Sequence, residues 1–357
     1  MSNFEKKILD QKGKNPMLVF IVGNSRSGTT IMARLIGRSE SVHALNELHF
    51  FEEQWSPHEI SSSLTKETQL EMLSKLLNKE RDDYIGKKRS KEFLQEANNI
   101  LNTFKRYYVD AQTLFQKFLL YEAALNNKHI ACEQTPRNIF YAKEILTYYP
   151  DAKIINMVRD PRAILLSQKN RWRIRSLGAK NFPFREVIRS WANYHPITTS
   201  LLWNSAINVG NEMHKNRNFK TVKYEDFTSK PKLIIREICE FLNVPYNDEI
   251  LMIQQSEGGV SSFQRRDKPQ GVGINSEAAS RWMKGGLNRS EILICQQLTK
   301  KNMESNSYEP LHFSMFANFP ILLFYTFTFP LKLLVALIFN VSQHKNLIAT
   351  VRRRMSY

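Results

Sequence analysis

The sequence predicts an α/β domain built on a parallel sheet that helices cover on both faces. Three observations carry that prediction. Residues 17–22 (Met-Leu-Val-Phe-Ile-Val) and 153–158 form apolar runs without strict alternation, as strands buried on both faces do. Helical patterns follow these runs, so strand and helix take turns along the chain. The chain has 357 residues and is 42% hydrophobic, which suits one large domain with or without additions and excludes a disordered chain.

The elements follow in order. The first strand, 17–22, ends at Gly23, and Gly23–Thr30 forms a turn. A helix over Thr29–Gly37 carries Ile31, Leu35 and Ile36. Residues 65–127 are charged and helical in pattern, an inserted helical region without a strand signal. Ile130–Glu133 reads as a short strand, and Asn138–Tyr149 as a helix stopped by Pro150. Lys153–Val158 is the next strand, and Asp160-Pro161 opens the helix after it, proline being favourable in a first turn. Phe219–Lys223 is a third strand of this kind, followed by a helix over Lys232–Leu242. There is no internal repeat, and the composition shifts only after Pro310.

The net charge of +17 points to anionic partners: nucleotides, acidic glycans, lipid headgroups or nucleic acid. It does not choose among them, and a merely solvated basic surface also fits. Three cysteines without CxxC spacing, Cys132, Cys239 and Cys295, argue against a disulfide framework or a zinc site and for small buried side chains. The polar start, Met1–Asn15, carries no signal-peptide pattern, which predicts a cytoplasmic catalytic part.

Gly23-Asn24-Ser25-Arg26-Ser27-Gly28-Thr29-Thr30 stands between a strand and a helix. Its glycines allow a tight loop with inward N–H groups, and the helix N-terminus adds positive potential, so the loop suits phosphate oxygens. It departs from the nucleoside-triphosphate pattern GxxxxGK[ST], because Thr29 stands where lysine is required and the basic group, Arg26, lies inside the loop.

Arg26-Ser27-Gly28-Thr29-Thr30 after a buried strand resembles the 5′-phosphosulfate loop of the sulfotransferases that use 3′-phosphoadenosine 5′-phosphosulfate (PAPS). Ile154–Arg162, running on to Ser167, resembles the family's 3′-phosphate segment, in which an arginine at a strand end is joined by a serine eight residues on; Arg159 and Ser167 have that spacing. An arginine fork at a strand end suits a phosphate on physical grounds too. Read without the loop, Arg159-Asp160 is equally a surface ion pair and Ser167 a solvated serine. Three softer matches follow the family's order. Tyr224-Glu225-Asp226-Phe227 is similar to its segment near the adenine, Arg281-Trp282-Met283-Lys284-Gly285-Gly286-Leu287 to its loop over the nucleotide, and Glu133-Gln134-Thr135-Pro136 to its Glu-Lys-Thr-Pro segment. Gln134 departs from the lysine of that segment, which puts a catalytic lysine there in doubt. The resemblance covers roughly residues 17–300.

The resemblance implies PAPS bound by Ser25, Arg26, Ser27, Gly28, Thr29, Thr30, Arg159, Ser167, Tyr224, Arg281, Trp282, Lys284 and Gly285, with no metal required. Sulfuryl transfer to a hydroxyl or amine needs a base. Glu47 stands 21 residues after Arg26, the spacing of the catalytic glutamate in the protein-tyrosine branch. His43 and His49 are the rivals. Arg159–Arg185 holds eight basic residues and one acidic, with Arg171, Arg173 and Arg175 around Trp172: a lip for an anion, or a solvated face.

From Phe313 to Leu331 no residue is charged; Lys332 interrupts and Leu333–Val341 is apolar again. About 20 apolar residues can cross a bilayer, and Pro320, Pro330 and the aromatics suit an interfacial or re-entrant helix equally well. The basic end, Arg352-Arg353-Arg354, suits anionic headgroups. Helices folded onto the catalytic domain are the other reading. The expectation is thus a P-loop-type α/β sandwich with a central parallel sheet: a catalytic domain over 1–310, with a helical insertion at about 60–127, and a hydrophobic tail over 311–357 that attaches to a membrane surface. The acceptor, a lipid, glycan or small molecule, is left open, and no nucleic acid is expected. The rivals are a nucleoside-triphosphate-dependent kinase of similar fold, against which Thr29 argues, and a non-enzymatic basic membrane-binding protein.

Overall fold

The apolar runs pair into a five-stranded sheet. In the computed structural model, which describes residues 17–56, 63–82, 90–104, 109–175, 183–252, 274, 276–314 and 318–356, the strands are β1 Met17–Gly23, β2 Val42–Ala44, β3 Ile130–Glu133, β4 Lys153–Val158 and β5 Phe219–Lys223. Their order is β2-β3-β1-β4-β5 and every pairing is parallel. The central strand β1 feeds both faces by its period of two. Leu18, Phe20 and Val22 join one core, and Val19 and Ile21 the other. The chain crosses from β3 to β4 over β1, so the strand order reverses at β1, and a crevice opens at the carboxyl ends of β1 and β4. β2 was not expected: three residues are too few to show a period.

The helices run in order. α1 (Thr29–Ile36) leaves β1, and the short α2 (Phe50–Glu53) follows β2. The expected helical insertion holds α3 (Lys66–Asp82), α4 (Leu94–Thr103) and α5 (Ala111–Leu125), and no strand among its described residues. It is part of the core: Leu73, Leu76, Phe115 and Phe118 pack with Phe20 and Val22, and Phe50 stacks on Phe115 with ring centroids 4.1 Å apart. The helix expected over 138–149 is a 3-10 turn, Pro136–Tyr141, and then α6 (Ala142–Tyr148), because Asn138 is held by Glu133 through a 2.8 Å hydrogen bond. α7 (Pro161–Lys169) starts as expected, with Asp160 accepting from the Arg162 N–H at 2.8 Å. A 3-10 segment, Arg171–Arg175, follows it.

α8 (Phe184–Ala192), α9 (Pro196–Met213), α10 (Tyr224–Ser229), α11 (Pro231–Leu242), α12 (Glu277–Ser280) and α13 (Arg289–Ser305) complete the domain. α13 is closed by a capping box between Asn288 and Glu291. The tail forms α14 (Phe319–Asn340) and α15 (Leu347–Met355). The basic end does not hang free. Arg353 pairs with Glu144 and lies over the Tyr141 ring, and Arg354 pairs with Glu52. Arg173 and Trp172 of the basic stretch lie on the surface, Trp172 exposed and its ring under the Arg173 guanidinium; Lys180 falls outside the described residues.

Candidate active site

Two glycines shape the loop after β1. Gly23 has φ 144°, and a Cβ there would lie 2.3 Å from the Met157 carbonyl oxygen, so β1 and β4 approach closely only because it has none. Gly28 has φ 95°, and a Cβ would meet the Tyr224 ring at 2.5 Å. Arg26 takes φ 78°, rare for a side chain of its size. Ser27 and Thr29 are buried, and Ser25 and Thr30 half-buried.

The Arg26 Nε donates to Ser167 Oγ at 3.0 Å, across from β1 to α7. The Arg159 Nη1 donates to the Arg26 carbonyl oxygen at 3.0 Å, its guanidinium lies 4.2 Å from the centre of the Tyr224 ring, and its Nη2 donates to the Ala278 carbonyl. Residues far apart in sequence therefore meet at the strand ends. Burial lowers the Arg26 pKa to about 10, with Arg171 and Arg159 adding repulsion. The reading of Arg159-Asp160 as a surface ion pair does not hold: the Asp160 carboxylate takes a fork from the buried Arg162, with Nη2 at 2.8 Å.

The loop is rich in donors without acceptors. Asn24 Nδ2, Ser27 Oγ and Arg159 Nε are buried and have no hydrogen-bond partner among the described residues. Buried polar groups are nearly always satisfied, and three such atoms around one loop suit an anionic or oxygen-rich ligand.

Glu47, its side chain 32% exposed, is near enough to Arg26 and Arg171 to feel their charges. Burial pushes its carboxyl up, but a hydrogen bond from His49 and the charges of Arg171 and Arg26 outweigh that and hold it below the ordinary value. The His49 Nε2 lies 3.3 Å from Glu47 Oε2 and its Nδ1 3.5 Å from Glu52 Oε2. Burial and Lys79 disfavour the imidazolium, yet the two carboxylates raise its pKa. The segment is clamped from β3. Glu133 Oε1 accepts from the Leu48 N–H at 3.1 Å, Thr135 Oγ1 accepts from the His49 N–H at 3.1 Å, and Glu133 also binds Thr135. His43 points elsewhere, toward Asn126 at 3.5 Å, and burial, Arg81 and Lys128 lower its pKa to about 4.

The softer matches settle at the rim or beneath it. Trp282 is buried against Ala163 and Leu166 with the Arg162 guanidinium 4.1 Å from its ring centre, so its ring fills the core. Lys284 is exposed and pairs with Glu277 at 3.4 Å, while Gly285 takes φ 116° in an open turn. Arg281 is near enough to Tyr224 to favour its ionised form. Gln134 is buried in the place of the expected lysine. Sequence reasoning missed Glu52 and the positioning role of Glu133; a carboxylate at the end of a buried strand, two residues before a threonine, was the available signal for the latter. His43, Glu80 and Glu122 offer ligand atoms within 4.8 Å of one another, but Arg81 already forks onto Glu122 at 2.7 and 2.8 Å, and the Asn46 N–H occupies Glu80.

Residues 16–248 match the model of a sulfotransferase family. An uncharacterized protein of Aquifex aeolicus is 23% identical over 261 residues, 71% of this chain and 29% of that protein. A protein-tyrosine sulfotransferase of Drosophila melanogaster is 29% identical over 161 residues, 43% of this chain and 30% of that protein. The matches thus span less than a third of the length of these two relatives. A solved sulfotransferase domain from the curacin biosynthetic pathway superimposes with a TM-score of 0.49 at 18% identity, over 84% of this chain and all of that one.

Proposed function

The chain belongs to the sulfotransferase family, and on that premise we propose that it moves a sulfuryl group from PAPS to a hydroxyl or amine of an acceptor. One observation carries the reading: the three buried donors without acceptors, Asn24 Nδ2, Ser27 Oγ and Arg159 Nε, gather where Arg26, Arg159 and Ser167 meet. A nucleotide with phosphates at both ends of its ribose would satisfy donors in the loop after β1 and at the end of β4 together. The loop N–H groups and Arg26 bind the 5′ end, and Arg159 and Ser167 the 3′-phosphate.

Glu47 accepts the proton of the attacking hydroxyl or amine. The acceptor oxygen or nitrogen forms a bond to sulfur as the bond from sulfur to the phosphate oxygen breaks. Charge grows on the leaving phosphate, where Arg26 and the loop N–H groups meet it. The products are a sulfate ester or sulfamate and 3′-phosphoadenosine 5′-phosphate (PAP). Glu47 suits the base better than His43, whose ring faces Asn126, and His49 serves it as a hydrogen-bond partner. Thr29, buried in place of the lysine that a kinase loop needs, weighs against nucleoside-triphosphate chemistry.

Titration with PAP tests the nucleotide site, and ATP with magnesium is the control. Tight PAP binding with none of ATP is expected; the reverse preference rejects the reading. Glu47→Gln should lower single-turnover rates at saturating PAPS by about 10²–10⁴ and leave PAP affinity near its starting value. Near-normal turnover in Glu47→Gln, with loss in His49→Gln or His43→Gln, would identify another base.

A further inference from the structure

Helix α14 packs through one face and is apolar on the opposite one, which the described residues leave exposed. Its inner stripe runs Tyr325, Phe329, Lys332, Asn340, at helical spacing. The Asn288 Nδ2 donates to the Tyr325 hydroxyl at 3.0 Å, His195 packs on Tyr325 and Phe329 with centroids 5.7 and 5.4 Å away, Lys332 sits over Trp191, and the Asn340 Nδ2 donates to Asn193 Oδ1 at 2.6 Å. The outer stripe runs Phe324, Phe327, Leu331, Leu334, Ile338, spaced three and four apart, about half a turn away from the first. Those five side chains are 55–78% exposed.

The neighbouring helix α8 is turned inside out. Arg189 is buried, paired with Glu186 and donating to Asn340 Oδ1, while Phe184 is 65% exposed and Trp191 52% exposed beneath the Lys332 ammonium. A helix in water places its charges outward. Two adjacent elements, independently, present apolar side chains to the exterior, and the patch is far more than isolated surface residues.

We infer that the outer faces of α14 and α8 seat the protein flat on an anionic membrane surface, with the Arg26–Glu47 crevice beside the lipid boundary. At 22 residues α14 is long enough to cross a bilayer. It cannot do so, because it is bonded to the same domain at Tyr325 and at Asn340, and α15 beyond it pairs with Glu52 and Glu144. An embedded outer face with bound inner face is the geometry of an interfacial helix. The charge selects the surface. The protein carries a net charge of +17, the exposed Arg185 reaches Ser342 beside the patch, and Arg173 is exposed on the 3-10 segment packed against α8. Two copies meeting face to face would bring these like charges together, whereas acidic headgroups complement them. The 3-10 segment Arg171–Arg175, packed against α8, links the patch to the site: it starts four residues after Ser167, and the charge of Arg171 is felt by both Arg26 and Glu47. The acceptor is therefore a membrane lipid or lipid-linked headgroup; that clause rests on the sulfuryl-transfer reading, and the docking does not.

Flotation of the full chain with vesicles tests it. Wild type should float with phosphatidylcholine–phosphatidylglycerol vesicles and less with phosphatidylcholine alone. The pair Phe327→Glu with Leu331→Glu should lower partitioning at least about tenfold, and Phe184→Glu should lower it as well, with melting temperature and PAP binding unchanged. Wild type that ignores both vesicles, or a soluble dimer that these substitutions split, overturns the proposal. The native cysteines are buried, so Ser314→Cys and Ser356→Cys report sidedness: an impermeant thiol reagent should label both from one side, and protection of one means that α14 spans. Labelled PAPS with a total membrane extract should place label in the organic phase; label only in water-soluble product rejects the lipid acceptor while leaving the docking intact. Flotation without PAP binding sinks the sulfotransferase reading and spares the docking.

Discussion

Glu47 sits between His49, which holds it, and two arginines that favour its charge, so it is ionised well into acid. The proposed base works only when deprotonated, so on that proposal activity should be lost as pH falls through the pKa of Glu47 in the folded protein. That pKa lies below 4.5, the ordinary value, and the acidic limb of kcat/KM should lie there too, down to the pH at which the fold itself fails. His49→Asn removes the imidazolium, and the limb should move up. A limb at about 6–7 that persists in Glu47→Gln would instead report a histidine. Arg159 has two duties, since its Nη1 already binds the Arg26 carbonyl while its buried Nε has no partner among the described residues. Arg159→Ala should cost PAP about 2–3 kcal/mol of binding. Adenosine 5′-phosphosulfate, lacking the 3′-phosphate, should lose less. Equal losses would mean that the arginine only braces the loop.

At the scale of elements, β1, its loop and α1 form one device in which conformation and space both require glycine. Gly28→Ala would place a Cβ 2.5 Å from the Tyr224 ring at a φ of 95°. The substitution should destabilise the fold by about 1–3 kcal/mol and weaken PAP binding, measured by melting and titration. Adding Tyr224→Ala should recover only part, because the strained φ remains; full recovery would assign the whole effect to the clash. This device was legible because its parts are contiguous: an apolar run, two glycines, a helix start. β4 and α7 were legible for the same reason, through Val158 and the Asp160-Pro161 start. β2 was hidden by its length, and α8 by its inversion, since periodicity puts its Arg189 outside and its Trp191 inside. Glu52 was invisible because its partners, Arg137 and Arg354, come from far along the chain. The local sequence reports local rules, and this part of the site is built by long-range contact.

At the scale of the whole molecule, α15 folds back onto the domain. After α14 the chain returns, the Lys345 N–H donates to the Glu52 carbonyl at 3.0 Å, and α15 lays Arg354 on the Glu52 carboxylate. Glu52 is 2% exposed at its side chain, and it also meets His49 and, at 3.7 Å, Arg137. Burial alone would raise its pKa; Arg354, Arg137 and His49 overcome that and hold it well below the ordinary value. A depressed carboxylate contributes stability that is present above its unfolded value and is lost as pH falls through its folded one. Arg354→Ala leaves a buried charge short of its nearest partner, a loss of about 3–5 kcal/mol, and acid unfolding should begin at higher pH than in wild type. Arg354→Ala with Glu52→Gln should be more stable than Arg354→Ala alone, because the uncompensated charge is gone. Since Glu52 holds His49 and His49 holds Glu47, Arg354→Ala should also raise the acidic limb of kcat/KM, which a purely structural clasp would leave in place. Removal of residues 343–357 should reproduce the melting and acid-limb changes of Arg354→Ala while PAP still binds, because Arg26, Arg159 and Ser167 lie on other elements. A truncated chain that melts like wild type would show that the return of α15 adds nothing to the fold, and an unmoved acidic limb would separate the tail from the base.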